Sequence, residues 1–127
     1  MIITINNIYD NNMVEVSSPY GKFLGQYIGN SICMNKKCDI EIDIPKTLSL
    51  ENFKILDNRT YSIITTCGVT TLTGFIEIVD DETLYFQLGS DILIVEIFKD
   101  IDYQSIHEKF VSLTIDHLNL YDTGLLC

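Results

Sequence analysis

The stretch Val69-Thr-Thr-Leu-Thr-Gly-Phe-Ile-Glu-Ile-Val79, Asp80-Asp-Glu82, Thr83-Leu-Tyr-Phe-Gln-Leu88, Gly89-Ser90, Asp91-Ile-Leu-Ile-Val-Glu-Ile-Phe98 decides the fold. Three runs rich in β-branched and aromatic residues are separated by an acidic turn and by a Gly-Ser pair favoured as a two-residue hairpin loop. They read as a three-strand antiparallel meander. Leu84, Phe86 and Leu88 alternate with Tyr85 and Gln87, so the middle run has one buried face. The third run is apolar at every position from Ile92 to Phe98 except Glu96, which predicts a central strand buried on both faces.

The same grammar extends outward. Cys38-Asp-Ile-Glu-Ile-Asp-Ile44 alternates strictly, with Cys38, Ile40, Ile42 and Ile44 on one side and Asp39, Glu41 and Asp43 on the other, until Pro45 ends the ladder. Met13 to Val16 and Phe23 to Ile28 flank Ser17-Ser-Pro-Tyr-Gly21 and read as a hairpin. Ile2 to Ile8 is expected to be an open edge strand, free to pair with another chain. Between Asp100 and Lys109 the alternation stops, and Ser105-Ile-His-Glu108 fits either a capping box opening a short helix or a loop. Val111, Leu113 and Ile115 then share a face, and the apolar phase slips to Leu118 and Leu120. That slip predicts a β-bulge near Asp116 and His117.

The chain has 127 residues, no Ala and 20 Ile, a composition that favours strands over helices. The expectation is an all-β, mainly antiparallel fold: a single β-rich domain over 1–127, a sandwich or partly closed barrel carrying this meander in its C-terminal half, with at most one short helix. No apolar run is long enough for a membrane helix, and the first residues lack a signal-peptide pattern. A cytoplasmic protein is therefore expected, with Cys33, Cys38, Cys67 and Cys127 as reduced thiols. The Cys33/Cys38 spacing is wider than a common zinc knuckle and has no second pair, so no metal or other cofactor is expected.

The formal charge is −10, distributed unevenly. Residues 1–60 carry 6 basic and 7 acidic groups, net −1, and residues 61–127 carry 2 and 11, net −9. Nucleic acid and anionic membranes are poor partners for such a chain, because phosphate contacts need Lys and Arg and Arg59 is the single arginine. An AT-rich composition (20 Ile, 9 Asn) should also raise Lys, yet only 7 are present, so the acidity is not simple drift. A basic protein partner is the chemistry that an acidic surface recruits, since complementary charge raises the association rate. The candidate partner-binding carboxylates flank the meander: Asp80, Asp81 and Glu82 at its first turn, and Asp100, Asp102 and Glu108 in the irregular segment.

Catalytic constellations are weak. The row Asp39, Glu41, Asp43 has the separation of an acid–base pair, but its alternation faces it away from the isoleucines, into water, where no pKa is raised. His107 and His117 have no nucleophile elbow or orienting acid in sequence, and no P-loop, GxGxxG or HExxH occurs. No enzyme is expected. A small-molecule-binding or sensory barrel is the alternative, with Tyr27, Tyr61, Tyr85 and Phe86 as pocket candidates.

The segments Thr73-Gly-Phe-Ile-Glu-Ile-Val-Asp-Asp-Glu-Thr-Leu-Tyr-Phe86, Val95-Glu-Ile97 and Phe110-Val-Ser-Leu-Thr-Ile-Asp-His-Leu-Asn-Leu-Tyr-Asp122 resemble the strand pattern of small acidic β-rich bacterial immunity proteins. Those proteins are encoded beside polymorphic or contact-dependent growth-inhibition toxins. The likeness is one of strand texture over the C-terminal half and carries no motif. It implies a cytoplasmic inhibitor that binds a cognate, basic toxin domain, often a nuclease, and blocks its active site.

Overall fold

A computed structural model describes residues 1–29, 32 and 34–125, and the side chain of Ile78 lies outside the description. Eleven strands make up the ordered structure, and two three-residue 3-10 turns, Asp10–Asn12 and Leu50–Asn52, are the helical elements among the described residues. The all-β expectation holds. Among the described residues no helix is long and apolar enough to cross a membrane. The chain splits into two compact units, interleaved in sequence: 1–45, 63–70 and 115–127 in the first, 46–62 and 71–114 in the second.

The first unit is built on a closed five-strand barrel. Strands β1 (Ile2–Ile8), β2 (Met13–Ser18), β3 (Gly21–Ile28), β4 (Lys37–Asp43) and β11 (Asn119–Asp122) run in the order β1-β2-β3-β11-β4, and β4 closes back onto β1. The predicted hairpin is β2–β3. Ser18 Oγ donates to the Gly21 carbonyl and accepts from Tyr20 N–H, and Gly21 at φ +136° supplies the backbone conformation that a side chain would resist. Alternating residues fill the interior, among them Ile3, Ile5, Val14, Val16, Phe23, Cys38, Ile40 and Leu120, each at most 1% exposed. β1 is therefore paired on both sides, with β2 and β4, and is not the open edge its sequence suggested. The register places Cys38 and Ile40 inward and leaves Glu41 exposed, as the alternation of β4 predicted.

β6 (Ser62–Thr66) leads through Cys67-Gly68 into β7 (Val69–Val79) and pairs with it. In the second unit the sheet order is β5-β10-β7-β8-β9, with β5 Phe53–Ile55, β8 Thr83–Leu88, β9 Asp91–Glu96 and β10 Phe110–Ile115. The meander β7-β8-β9 is present as read, and Leu84, Phe86 and Leu88 are fully buried. At Gly74 a Cβ would stand 2.2 Å from the Gln87 carbonyl oxygen, so only glycine lets β7 pass this close.

Two sequence expectations are corrected by this topology. β9 is the edge of its sheet and not a central strand: Leu93 and Val95 are buried, but Ile92 and Ile94 are 46% and 60% exposed. The slip near Asp116 and His117 is not a bulge either. β10 ends at Ile115 in one sheet, and after a bend the chain enters β11 in the barrel, so the apolar phase restarts because the strand has changed sheets. Bulges occur instead in β1, between Ile5 and Asn7, and in β7, between Ile76 and Ile78.

Candidate functional site

The turn between β7 and β8 and the segment after β9 meet at one cleft of about 540 Å³. Asp80, Asp81 and Glu82 line it from one side, and Lys99, Asp100, Ile101, Asp102, Tyr103 and Gln104 from the other. Five of the six carboxylates singled out in the sequence therefore come together. Glu108 does not join them. It lines a separate cleft of about 460 Å³ with Arg59, Lys109, Phe75 and Phe110, where Phe110 packs against both Phe75 and Tyr61.

The backbone explains how the acids are held. Asp80 N–H donates to the Thr83 carbonyl at 2.7 Å, closing the β7–β8 turn, and Ile97 N–H donates to the Glu82 carbonyl at 2.9 Å. In the irregular segment no helix forms. Asp102 Oδ1 accepts from Gln104 N–H at 2.9 Å, and a series of turns follows to Glu108. The capping box that Ser105 and Glu108 offered in sequence does not form, and a capping box is found instead at Ser49 and Asn52. Asp100 sits at φ +63°, a left-handed conformation that Asp tolerates better than most residues.

Tyr103 anchors the segment. Its ring is 4% exposed, and its hydroxyl reaches the carbonyls of Phe98 at 3.1 Å and Leu48 at 3.3 Å. Burial raises its pKa, partly offset by the Phe98 bond, so the hydroxyl stays protonated and available as a donor. Tyr103 escaped the sequence reading because a lone aromatic in an irregular acidic stretch has no periodic partner. Its one signal was its position among Asp100, Asp102 and Gln104.

Charge in the cleft is unbalanced. Lys99 Nζ lies 2.5 Å from Glu82 Oε1, both groups well exposed, and that hydrogen bond raises the Lys99 pKa. The side chains of Asp80, Asp81 and Asp100 have no ion-pair or hydrogen-bond partner among the described residues. Among those residues no group of three His, Cys, Asp or Glu is disposed to hold a metal ion.

Other sequence candidates fall elsewhere. Asp39 accepts from the Met1 amine at 3.0 Å and from Thr123 Oγ1 at 2.9 Å, which hold its carboxyl below the usual range, the opposite of what a general acid needs. His117 is exposed, with Nε2 3.0 Å from Asn119 Oδ1, and His107 lies 4.0 Å from Glu108. Cys38 is buried in the barrel, and burial raises its thiol pKa; Cys67 is exposed, and Cys33 and Cys127 lie outside the described residues. Tyr27 and Phe86 are core residues, Tyr61 and Tyr85 are half-buried, and none of the four lines either cleft. In comparisons with protein families, curated proteins and solved structures, no match was found.

Proposed function

We propose that this chain is a non-enzymatic binding protein of the immunity type, which neutralises a cognate toxin domain by laying its acidic cleft over a basic active site. The supporting observation is the convergence of Asp80, Asp81, Glu82, Asp100 and Asp102, from two segments, on a cleft whose single lysine is already engaged by Glu82. Carboxylates in excess over cations repel one another, and a basic surface relieves that repulsion on docking. Binding of this kind needs no reaction from the acidic protein. Removing one carboxylate from a contact desolvated in the complex costs about 2–5 kcal/mol, whereas removing a charge at the rim acts mainly on the association rate.

The partner to test is a basic terminal domain of a large secreted protein encoded in the neighbouring reading frame. Its affinity is measured by titration calorimetry at low and moderate salt. The triple variant Asp80→Lys, Asp81→Lys, Asp102→Lys is expected to abolish binding, and Glu108→Lys, in the separate cleft, to leave most of it. Unchanged affinity of the triple variant in low salt would overturn the proposed face.

A further inference from the structure

The cleft that Glu108 lines lies where chain segments enter and leave the sheet of the second unit. β5 ends at Ile55, and Leu56 N–H still donates to the Phe110 carbonyl at 2.9 Å, which holds residues 56–59 near the start of β10. On the other flank Glu108 N–H donates to the Ile76 carbonyl at 2.9 Å, and Ile76 N–H donates to the Lys109 carbonyl at 3.0 Å. Residues 108–110 therefore run beside β7 next to Phe75. The cleft measures about 460 Å³, within the size range of small-molecule sites, and all its lining belongs to one unit. Its apolar lining is Leu56, Phe75 and Phe110. Both phenylalanines are half-buried, with ring centroids 5.2 Å apart, and Tyr61 braces Phe110 at 5.5 Å.

Charge sets this cleft apart. On a chain with 18 acids against 8 bases, it gathers two cations, Arg59 and Lys109, against two acids, Asp57 and Glu108. The acidic cleft has one cation, Lys99, against five acids. Arg59 is the chain's single arginine and sits in an exposed loop. Its guanidinium has no ion-pair or hydrogen-bond partner among the described residues, and neither has the Lys109 ammonium. Two unengaged cations beside a pair of supported aromatic rings are the parts of a site for an anion that carries a ring.

We infer that this cleft binds a small aromatic carboxylate, its ring against Phe75 and Phe110 and its carboxylate on Arg59. Each part of the ligand answers a feature of the lining. The guanidinium presents parallel N–H donors in a planar fork that matches a carboxylate. A ligand ring packed on the two phenylalanines gains more than the area it buries. Asp57 and Glu108 bring the formal charge of the lining to zero, which suits a monoanion and disfavours a nucleotide or other polyphosphate. The same two acids are able to take an ammonium group. The carboxylate therefore comes from a simple aromatic acid or from an aromatic amino acid. The inference is independent of the proposed function, because it uses none of the five carboxylates of the acidic cleft.

The test is an amide NMR titration of the full chain with phenylpropionate. Saturable shifts are expected at residues 56–59, 75 and 108–110, with an affinity of about millimolar or tighter for so small a ligand. Propionate, which lacks the ring, and phenethylamine, which lacks the carboxylate, should each bind at least about tenfold more weakly. Arg59→Gln, at an exposed loop position, should keep the Tm and weaken phenylpropionate about tenfold or more. Glu108→Gln should bind phenylpropionate no more weakly, since it removes a nearby negative charge. L-phenylalanine separates the two sources. Tighter binding than phenylpropionate, lost in Asp57→Asn or Glu108→Gln, assigns the site to an amino acid; binding no tighter assigns it to a simple acid. Absence of saturable shifts up to about 10 mM phenylpropionate would overturn the inference. So would shifts confined to other residues, equal binding of phenethylamine, or affinity unchanged in Arg59→Gln.

Discussion

Tyr27 shows how a single residue couples the barrel to pH. Its ring is 3% exposed, and its hydroxyl donates to Asp122 Oδ2 at 2.6 Å. That bond, with a second from Gly124 N–H, holds the Asp122 carboxyl below its ordinary value of 3.8. A carboxylate whose folded pKa is depressed stabilises the fold above its unfolded pKa, and the contribution disappears as pH falls through the folded value. Tyr27→Phe is therefore expected to cost about 1–2 kcal/mol at neutral pH, and the difference from the parent to shrink below about pH 4. Urea unfolding at several pH values checks this, and a difference independent of pH would contradict it. Gly74 is a different kind of residue constraint. Gly74→Ala drives a Cβ against the Gln87 carbonyl, a backbone atom that cannot swing aside, and should lower stability by about 1–3 kcal/mol. Thermal unfolding measures that loss.

At the scale of elements, the segment after β9 has no regular hydrogen-bonded ladder and depends on Tyr103 for its position. Tyr103→Phe keeps the ring in its buried site and removes the donor shared by Phe98 and Leu48. It should cost about 1–2 kcal/mol globally. It should also speed amide hydrogen exchange in 99–104 more than in β8, because the anchor is local. Uniform acceleration would show that the segment is held by other contacts. The strands themselves were legible to different degrees. β7 and β8 have the bounds their sequence predicted, because alternation and turn chemistry are local properties. The neighbours of a strand are not local. β1 and β9 both read as apolar strands, yet the barrel closes around β1 and the sheet ends at β9. On β9 the side carrying Leu93 and Val95 is buried and the side carrying Ile92 and Ile94 is exposed, since composition alone cannot tell a strand packed on two faces from one at the edge of its sheet.

For the whole molecule, charge is the property that composition states and the fold distributes. Of the eleven acids after residue 61, nine fall in the second unit, while Asp116 and Asp122 belong to the unit that contains the barrel. Self-repulsion at −10 opposes compaction, so raising NaCl from a few millimolar to physiological strength should increase Tm by a few degrees. A decrease would mean that favourable ion pairs outweigh the repulsion. The sequence by itself determined the β class, the meander, the β2–β3 hairpin and the acidic stretches on either side of β8 and β9, all through local periodicity and turn residues. Only the tertiary structure decided that β10 and β11 lie in different sheets, that Glu108 parts from the other five acids, and that β9 is the last strand of its sheet. Each of those outcomes rests on pairing between segments far apart in the chain, where the hydrogen bonds are made by backbone groups common to every residue and the side-chain pattern does not name the partner.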